Sequence, residues 1–341
     1  MRRRGATLLV GALLLAVLVL LAWQVKVPYV ELGPGPTWDT LGKDKGKDVI
    51  QVSGTKTSGS AGQLRMVTVG VTDHITLWEA MRGWLNDSDA VVPREVIYPP
   101  NQTQQQVDQE NQQDFKNSQT SAETAALREL GYPVQVAVQQ VSAGLPADGR
   151  LKVGDVITSV DGKPVTSAQR LTQLIRAKPA GSALAVGYTR GGASGTTTLS
   201  SAKGADGNPR IGVQIQQNQP HPFKITISLN DVGGPSAGLM FSLGIVDKVK
   251  AEDLTGGLGI AGTGTIDDDG NVGAIGGIAQ KMRGAKRDRA TVFLVPADNC
   301  AEAASNAVPG LRLVKISTLD SALTALQTLR QHGTPTLCGG G

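Results

Sequence analysis

The stretch NDVGGPSAGLMFSL, residues 230–243, places a serine in a glycine-rich turn directly before an apolar segment. The preceding residues ITISL (225–229) alternate as a β-strand does, and AGLMFSLGIV (237–246) has helical potential. Ser236 is therefore predicted at a helix N-terminus, where backbone N–H groups and the helix dipole stabilise an oxyanion. On this segment alone, a plain serine cap after a glycine loop is the alternative.

A nucleophilic serine needs a base, and none of the three histidines of the chain lies in a favourable motif. The segment IGGIAQKMRGAKRDRA (275–290) instead predicts a Gly-Gly turn that leads into a helix. One face of that helix carries Lys281 together with the apolar residues Ile278, Met282 and Ala285. Because burial lowers the pKa of a lysine, Lys281 is the candidate base of a serine–lysine pair. A lysine that snorkels to the surface is the alternative.

The motifs GPSAG, GTG and IGGIAQK occur in this order and resemble the proteolytic domain of Lon, a serine–lysine peptidase. The resemblance covers about residues 211–329. It implies that Ser236 is the nucleophile, that Lys281 is the general base, and that Thr263 supplies a hydroxyl that helps to hold the lysine.

The serine turn also predicts the groups that stabilise the oxyanion. Gly234 and Ser236 offer backbone N–H groups, whereas Pro235 between them has none. Lon enzymes linked to an ATPase usually carry an acidic residue where this chain has Gly233, and Asp231 lies two positions earlier. Since the sequence contains no GxxxxGK[ST] motif, the resemblance is to the ATP-independent branch, in which a glycine at this position is normal.

Upstream of the serine segment, LKVGDVITSVDGKPV (151–165) predicts two strands joined by a tight turn, and the helix SAQRLTQLIRA follows. This order resembles a PDZ domain of the bacterial protease-associated kind over about residues 122–203. Such domains bind a peptide by adding it as a strand beside a helix. The resemblance places the peptide groove at Gly131, Tyr132 and Val134, with a proline in place of the second glycine of the family's loop. A PDZ fold without tight peptide affinity is the alternative.

The N-terminal segment GATLLVGALLLAVLVLLAWQ (5–24) contains no charge and predicts a transmembrane anchor, since about 20 residues cross the hydrocarbon core. Residues 1–4, with three arginines, are then expected in the cytoplasm, and the chain after the anchor outside it. A cleaved signal peptide is the alternative, although LLAWQVKV lacks a small-x-small site. Outside the cytoplasm Cys300 and Cys338 can form a disulfide, and an unpaired state stays open.

The predicted fold class is an α+β multidomain protein with an N-terminal transmembrane helix, a PDZ-like domain and a Lon-type α/β proteolytic domain. This order of segments resembles the YlbL-like membrane-anchored peptidases of Gram-positive bacteria. The predicted boundaries are a cytoplasmic tip (1–4), an anchor (5–24), a mixed extracytoplasmic region with a Gln/Asn-rich connector (25–120), the PDZ-like domain (121–203), the Lon-like domain (204–330) and a flexible tail (331–341).

Composition limits the expected partners. Three of the 33 basic residues lie in the first four positions, so the rest of the chain, with 29 acidic residues, is nearly neutral and no nucleic-acid partner is expected. No cofactor is expected, because the GxGxxG pattern of Gly257, Gly259 and Gly262 precedes an extended segment instead of a helix. No metal is expected either, because DDDGN (267–271) lacks the further ligands of a calcium loop and HExxH does not occur.

The sequence therefore predicts a membrane-anchored, ATP-independent serine endopeptidase that acts on unfolded or flexible extracytoplasmic segments, with the PDZ domain aiding recruitment. The expected partners are protein or peptide substrates and the lipid bilayer, and a homo-oligomer is left open. With 43 glycines and 4% aromatic residues, a shallow cleft that reads peptide backbone is favoured over an aromatic pocket. A non-catalytic, membrane-bound PDZ scaffold with an inactive Lon-like domain is the alternative.

Overall fold

The structure, a computed structural model, describes residues 2–86, 88–229, 232–250 and 252–339. It is a mixed α and β structure with two compact units. The large unit comprises Met1–Val52, Lys56–Ala122 and Ile225–Gly341, and the inserted unit comprises Ser53–Thr55 and Glu123–Lys224.

The elements of the large unit come from both ends of the chain. Its helices are α1 (Arg2–Gln24), α2 (Leu77–Trp84), the first part of α3 (Gln104–Glu129), α5 (Gly238–Val249), α6 (Ile278–Arg287), α7 (Cys300–Ser305) and α8 (Leu319–Arg330). Its strands are β1 (Tyr29–Asp39), β2 (Lys43–Asp44), β3 (Lys47–Asp48), β4 (Ile50–Ser53), β5 (Gln63–Thr72), β6 (Ala90–Pro93), β15 (Lys224–Ile227), β16 (Gly259–Gly262), β17 (Thr265–Ile266), β18 (Val272–Gly273), β19 (Val292–Pro296) and β20 (Arg312–Ile316). Short 3-10 helices lie at Arg94–Val96 and Ala297–Asn299.

A six-stranded sheet organises the large unit, in the order β20-β19-β16-β5-β1-β6. Strands β5, β16, β19 and β20 are parallel neighbours, and β1 pairs antiparallel with both β5 and β6. The predicted boundaries separate residues 25–120 from residues 204–330, but the structure joins them in this sheet. The reason is that β5 hydrogen-bonds to β1 on one side and to β16 on the other, so the early stretch completes the core of the large unit.

Helices α5 and α6 carry the motifs that the sequence singles out. All residues of α5 from Gly238 to Asp247 are buried, as its nearly uninterrupted apolar sequence requires. Helix α6 packs against β1 and β5. Its residues Ile278, Met282 and Ala285 enter a core with residues of β16, β19 and β20.

The N-terminal helix α1 forms where a helix is expected, and it extends from Arg2 to Gln24. Its large apolar side chains from Leu8 to Leu21 are 45% to 75% exposed. Across the residues that the structure describes, no helix has both the length and the apolarity needed to cross a membrane.

The C-terminal segment, expected to be a flexible tail, is instead held along β20 as far as it is described. Lys315 N–H donates to the carbonyl of Thr336 at 2.9 Å, and Cys338 N–H donates to the carbonyl of Leu313 at 3.0 Å. A disulfide joins Cys300 to Cys338, which settles the pairing that the sequence left open. The tail is therefore part of the large unit.

The inserted unit contains a second sheet, in the order β11-β10-β8-β7-β14, with β9 paired to β8. Its elements are β7 (Gln135–Val141), β8 (Val156–Val160), β9 (Lys163–Pro164), α4 (Ala168–Arg176), β10 (Ala183–Arg190), β11 (Ala193–Ser200), β12 (Ala202–Lys203), β13 (Pro209–Arg210) and β14 (Val213–Asn218), with the end of α3. Its core includes Ile157, Leu171 and Leu184. This unit continues past the predicted boundary at residue 203, because β14 hydrogen-bonds to β7.

Candidate active site

Ser236 lies in the turn between β15 and α5, directly before the helix cap Ala237, and is half-buried. The carbonyl oxygen of Ser236 accepts two hydrogen bonds, from the hydroxyl of Thr263 at 3.0 Å and from the N–H of Gly264 at 2.9 Å. The serine is thus fixed to the end of β16, where the GTG motif follows the strand. The predicted position next to a helix N-terminus agrees with the structure.

Thr263 connects the serine turn to the lysine helix. Its side chain is fully buried, and its hydroxyl accepts a hydrogen bond from the Lys281 amine at 3.2 Å. The same hydroxyl donates to the carbonyl of Ser236. The structure therefore brings the three residues predicted as nucleophile, support and base into one hydrogen-bonded chain.

The position of Lys281 follows from the start of α6. Gly277 precedes the helix with φ of 68°, and a Cβ at this position would lie 2.5 Å from Cγ2 of Val69, so glycine is required for both conformation and space. The carbonyl of Gly277 accepts the N–H of Lys281 at 3.1 Å, which places the lysine in the first turn. From there its side chain extends into the interior, where only 4% of it is exposed.

Burial changes the acidity of this lysine. It disfavours the charged form and lowers the pKa of the Lys281 amine to about 8 from its ordinary value of 10.5. A fraction of the amine is then neutral near pH 7 and can accept a proton. The alternative of a lysine that snorkels to water does not apply to this side chain.

The predicted oxyanion donors need one correction. The N–H of Gly234 donates to the carbonyl of Asn111 at 2.8 Å, so this group is already engaged and the structure does not support its assignment as a donor to substrate. The amide of Ser236 keeps its predicted role as a proposal. Asp231, the acidic residue nearest to the turn, lies outside the described residues.

Helix α3 contributes contacts to the serine turn that the sequence analysis did not anticipate. The hydroxyl of Ser118 donates to the carbonyl of Pro235 at 2.9 Å, next to the Asn111 contact. Both residues belong to the Gln/Asn-rich segment, which the predicted boundaries treat as a connector. The available signal was a sparse stripe of small and apolar residues, at positions 107, 115, 118 and 122, that falls on one face of a helix.

In the inserted unit, the predicted peptide groove at Gly131, Tyr132 and Val134 is also corrected. These residues lead into β7, whose two edges are both paired, with β8 and with β14. A peptide cannot add to a strand that has no free edge. The carbonyl of Tyr132 moreover accepts a hydrogen bond from the side-chain amide of Gln219.

One edge strand of this sheet is β14, and a cavity of about 290 Å³ lies between that strand and α4. Its apolar lining includes Leu171, Ile175, Ile211, Val213 and Ile215. Arg176 and Arg210 also line the cavity. The sequence signal for this cavity was the triplet Ile-Gly-Val (211–213), which ends on the first residue of β14 and which the predicted boundary assigned to the next domain.

Comparisons with known proteins match two parts of the chain to two different families. Residues 105–200 match the PDZ domain family, and residues 230–327 match the C-terminal proteolytic domain of Lon protease (S16). Among curated proteins, none matches the chain.

Among solved structures, the chain is similar to the PDZ domains of two SdrC-like proteins. The one from Listeria monocytogenes is 28% identical, with 24% of this chain and 85% of that chain covered and a TM-score of 0.23. The one from Listeria innocua is 30% identical, with 26% and 99% covered and a TM-score of 0.24. The family matches support a Lon-like serine peptidase that carries a PDZ domain.

Proposed function

We propose that the protein is an ATP-independent serine endopeptidase in which Ser236 is the nucleophile, Lys281 the general base and Thr263 the residue that orients the lysine. The observation that carries this proposal is the chain of contacts from the buried Lys281 amine through the Thr263 hydroxyl to the backbone carbonyl of Ser236. A buried amine with a lowered pKa next to a serine turn has the properties that serine–lysine catalysis requires.

The hydrogen bonds define how the lysine is oriented. The Thr263 hydroxyl donates its only hydrogen to the Ser236 carbonyl, so its oxygen accepts one hydrogen from the Lys281 amine. A neutral amine has one lone pair, which remains available for the serine proton. Thr263 therefore holds the amine in the orientation in which it acts as a base.

The reaction proceeds in two steps. Lys281 takes the proton of the Ser236 hydroxyl while the serine oxygen attacks the substrate carbonyl, and the amide of Ser236 stabilises the oxyanion of the tetrahedral intermediate. Lys281 then gives the proton to the leaving amine as the peptide bond breaks, which leaves an acyl-enzyme. A water molecule, deprotonated by the same lysine, hydrolyses the ester and regenerates the serine.

The substrate class follows from what the chain contains. Because the sequence has no P-loop motif, substrates must present a segment that is already extended or unfolded. We propose that the inserted unit recruits such segments as an added strand on β14, beside α4. The cavity between these two elements supports this assignment.

We also propose that α1 holds the protein at a lipid bilayer. The exposed apolar side chains of α1 support contact with lipid. Trp23, at the end of α1, lies 6.4 Å from Trp78 of α2 between ring centroids, and both are exposed, as is typical of interfacial aromatic residues. The Cys300–Cys338 disulfide is consistent with an oxidising compartment. Membership of the YlbL-like group stays a prediction.

The catalytic proposal is tested with Ser236→Ala and Lys281→Ala, assayed separately on an unfolded protein and with a serine-directed acylating probe. Both variants are expected to lose cleavage, and Ser236→Ala is expected to lose the label. Lys286→Ala is the matched control, because this lysine lies on the same helix and its amine contacts the exposed carbonyl of Gly310. Cleavage retained in either active-site variant overturns the dyad, and an unlabelled wild-type protein favours the non-catalytic scaffold.

The membrane proposal is tested by flotation of the full chain with lipid vesicles. Cofractionation that resists high salt and alkaline extraction is expected. Recovery of the protein in the soluble fraction would contradict the proposal.

A further inference from the structure

The first part of α3 lies against the serine turn, although it precedes the Lon-type match by more than a hundred residues along the chain. One face of this otherwise polar helix is buried, and Phe115 and Ser118 are each only 5% exposed there. The ring of Phe115 packs edge-on against Phe241 of α5, with centroids 5.7 Å apart. The helix is thus anchored to the same helix that follows the serine.

Two contacts from α3 hold the turn before Ser236. The carbonyl of Asn111 accepts the N–H of Gly234, and the hydroxyl of Ser118 donates to the carbonyl of Pro235. The glycines of the motif permit this approach. A Cβ on Gly238 would lie 3.0 Å from the Ser118 hydroxyl oxygen. The GGPSAG sequence is therefore also adapted to receive α3.

The Ser118 contact acts on one particular peptide group. The carbonyl of Pro235 and the N–H of Ser236 belong to the same peptide unit, which is planar and trans, so the two groups point in opposite directions. When the carbonyl oxygen is fixed by a buried hydroxyl, the direction of the Ser236 N–H is fixed as well. A hydrogen bond to the carbonyl also polarises the N–H of the same unit and makes it a better donor.

We propose that Ser118 is a positioning residue that aims the backbone N–H of Ser236 at the oxyanion. This inference rests on the proposed serine peptidase function and adds a residue from outside the matched proteolytic domain to its machinery. Ser118 acts through the Pro235–Ser236 peptide and does not touch the reacting atoms. Its contribution therefore appears in the transition state and not in substrate binding.

The test compares Ser118→Ala and Ser118→Cys with the wild-type full chain. Cysteine nearly preserves the volume of serine but is a weak donor. We expect kcat to fall about tenfold in both variants with KM unchanged, since a misdirected oxyanion donor weakens transition-state stabilisation. A peptide boronate, whose tetrahedral adduct places an oxygen at the oxyanion position, is expected to bind about tenfold more weakly in parallel.

Ser121→Ala is the matched control, because this serine lies on the same helix and its hydroxyl donates to Asp268, away from the serine turn. Its kcat is expected to stay within about twofold of wild type. Restoration of kcat and of boronate affinity in Ser118→Thr supports the hydroxyl as the active group.

Wild-type kcat in a folded Ser118→Cys or Ser118→Ala protein overturns the inference, as does a rise in KM with kcat unchanged. Ser236→Ala is assayed beside these variants to separate the two proposals. If Ser236→Ala is inactive and the Ser118 variants are fully active, only this inference fails. If Ser236→Ala is active, the proposed function fails first.

Discussion

A buried charged side chain in each unit, Asp155 in the inserted unit and Lys281 in the large unit, has surroundings of opposite kinds. In the inserted unit, Asp155 is fully buried and Arg190 binds both of its carboxylate oxygens at 2.7 Å. The Arg190 guanidinium holds the pKa of Asp155 below its ordinary value. In the large unit, the Lys281 amine donates to a neutral hydroxyl, and burial lowers its pKa.

The difference separates a charge that holds the fold together from one with the properties expected of the proposed base. A paired carboxylate stays ionised and fixes β8 to β10, because Asp155 precedes one strand and Arg190 ends the other. Among the described residues no carboxylate contributes to the pKa shift of Lys281, so no negative charge stabilises its ammonium form. The fold thereby brings the pKa of Lys281 closer to neutral pH, and burial of the charged amine lowers the free energy of unfolding.

The largest expected effect comes from Lys281→Met, which replaces the proposed base by an apolar side chain of similar length. Activity is expected to fall by about 10³-fold, within the range for general-base removal. The free energy of unfolding is expected to stay equal or to rise, since no charge is left to bury. Peptidase assays and denaturant titrations measure the two quantities, with Lys286→Met as control. An active variant, or one that is strongly destabilised, would contradict the contrast drawn between Lys281 and Asp155.

Arg190→Met tests the paired charge of the inserted unit. It leaves Asp155 buried without its charged partner, which is expected to destabilise that unit. Cleavage of a short peptide that needs no recruitment is expected to stay within about twofold. Hydrogen exchange of β8 and β10 measures the local loss. Unchanged exchange would show that water can replace the arginine.

The pH dependence of the rate reports the pKa of the base. Since only the neutral amine accepts a proton, the rate is expected to rise with pH and to level off above about 8. At pH 6 it should be about one hundredth of the plateau. A profile that is flat between pH 6 and 8 would exclude Lys281 as the titrating base.

The lowered pKa of Lys281 also makes the free energy of unfolding depend on pH. Between about pH 8 and 10.5 the unfolded chain still holds the Lys281 proton that the folded chain has lost. Stability is therefore expected to rise with pH across this window, by up to about 3 kcal/mol. Lys281→Met, measured over the same range, is expected to lack this increment.

The smallest effect is expected from Thr263→Val, which preserves shape but removes the hydroxyl between Lys281 and Ser236. A loss of about tenfold in kcat is expected, because the lysine keeps its burial but loses its orientation. The pH at which the rate levels off should hardly move. If that pH moves by a full unit, the hydroxyl sets the pKa as well as the geometry.

The proximity of the three candidate site residues was predictable because they lie in short local motifs. Ser236, Thr263 and Lys281 each follow or precede glycines that mark a turn, and the lysine falls on an apolar helix face. The pairing of β5 with β16 was not predictable. Gln63 and Gly259 meet across nearly two hundred residues, and no local pattern encodes that register.

The contacts of α3 and β14 show a second limit. Their sequences are rich in glutamine, so their polar composition hid the few positions that are buried in the fold. Ser118 has no apolar character at all, and its role depends on a carbonyl that only the folded turn presents. The peptide groove was misplaced for a related reason, because β14 follows the other strands of its sheet and lies beyond the expected boundary.

The insertion of one unit within the other imposes an order of assembly. Strands β1, β5 and β6 are synthesised first, but their sheet is incomplete until β16, β19 and β20 emerge after the whole inserted unit. The inserted unit is almost continuous in sequence, so it can fold early and shorten the loop that must close. The serine turn needs Thr263 and Gly264, which follow β16, for its contacts, so it is completed after the inserted unit has been made. A chain interrupted during synthesis, before β16 is made, is therefore expected to lack the proposed peptidase activity.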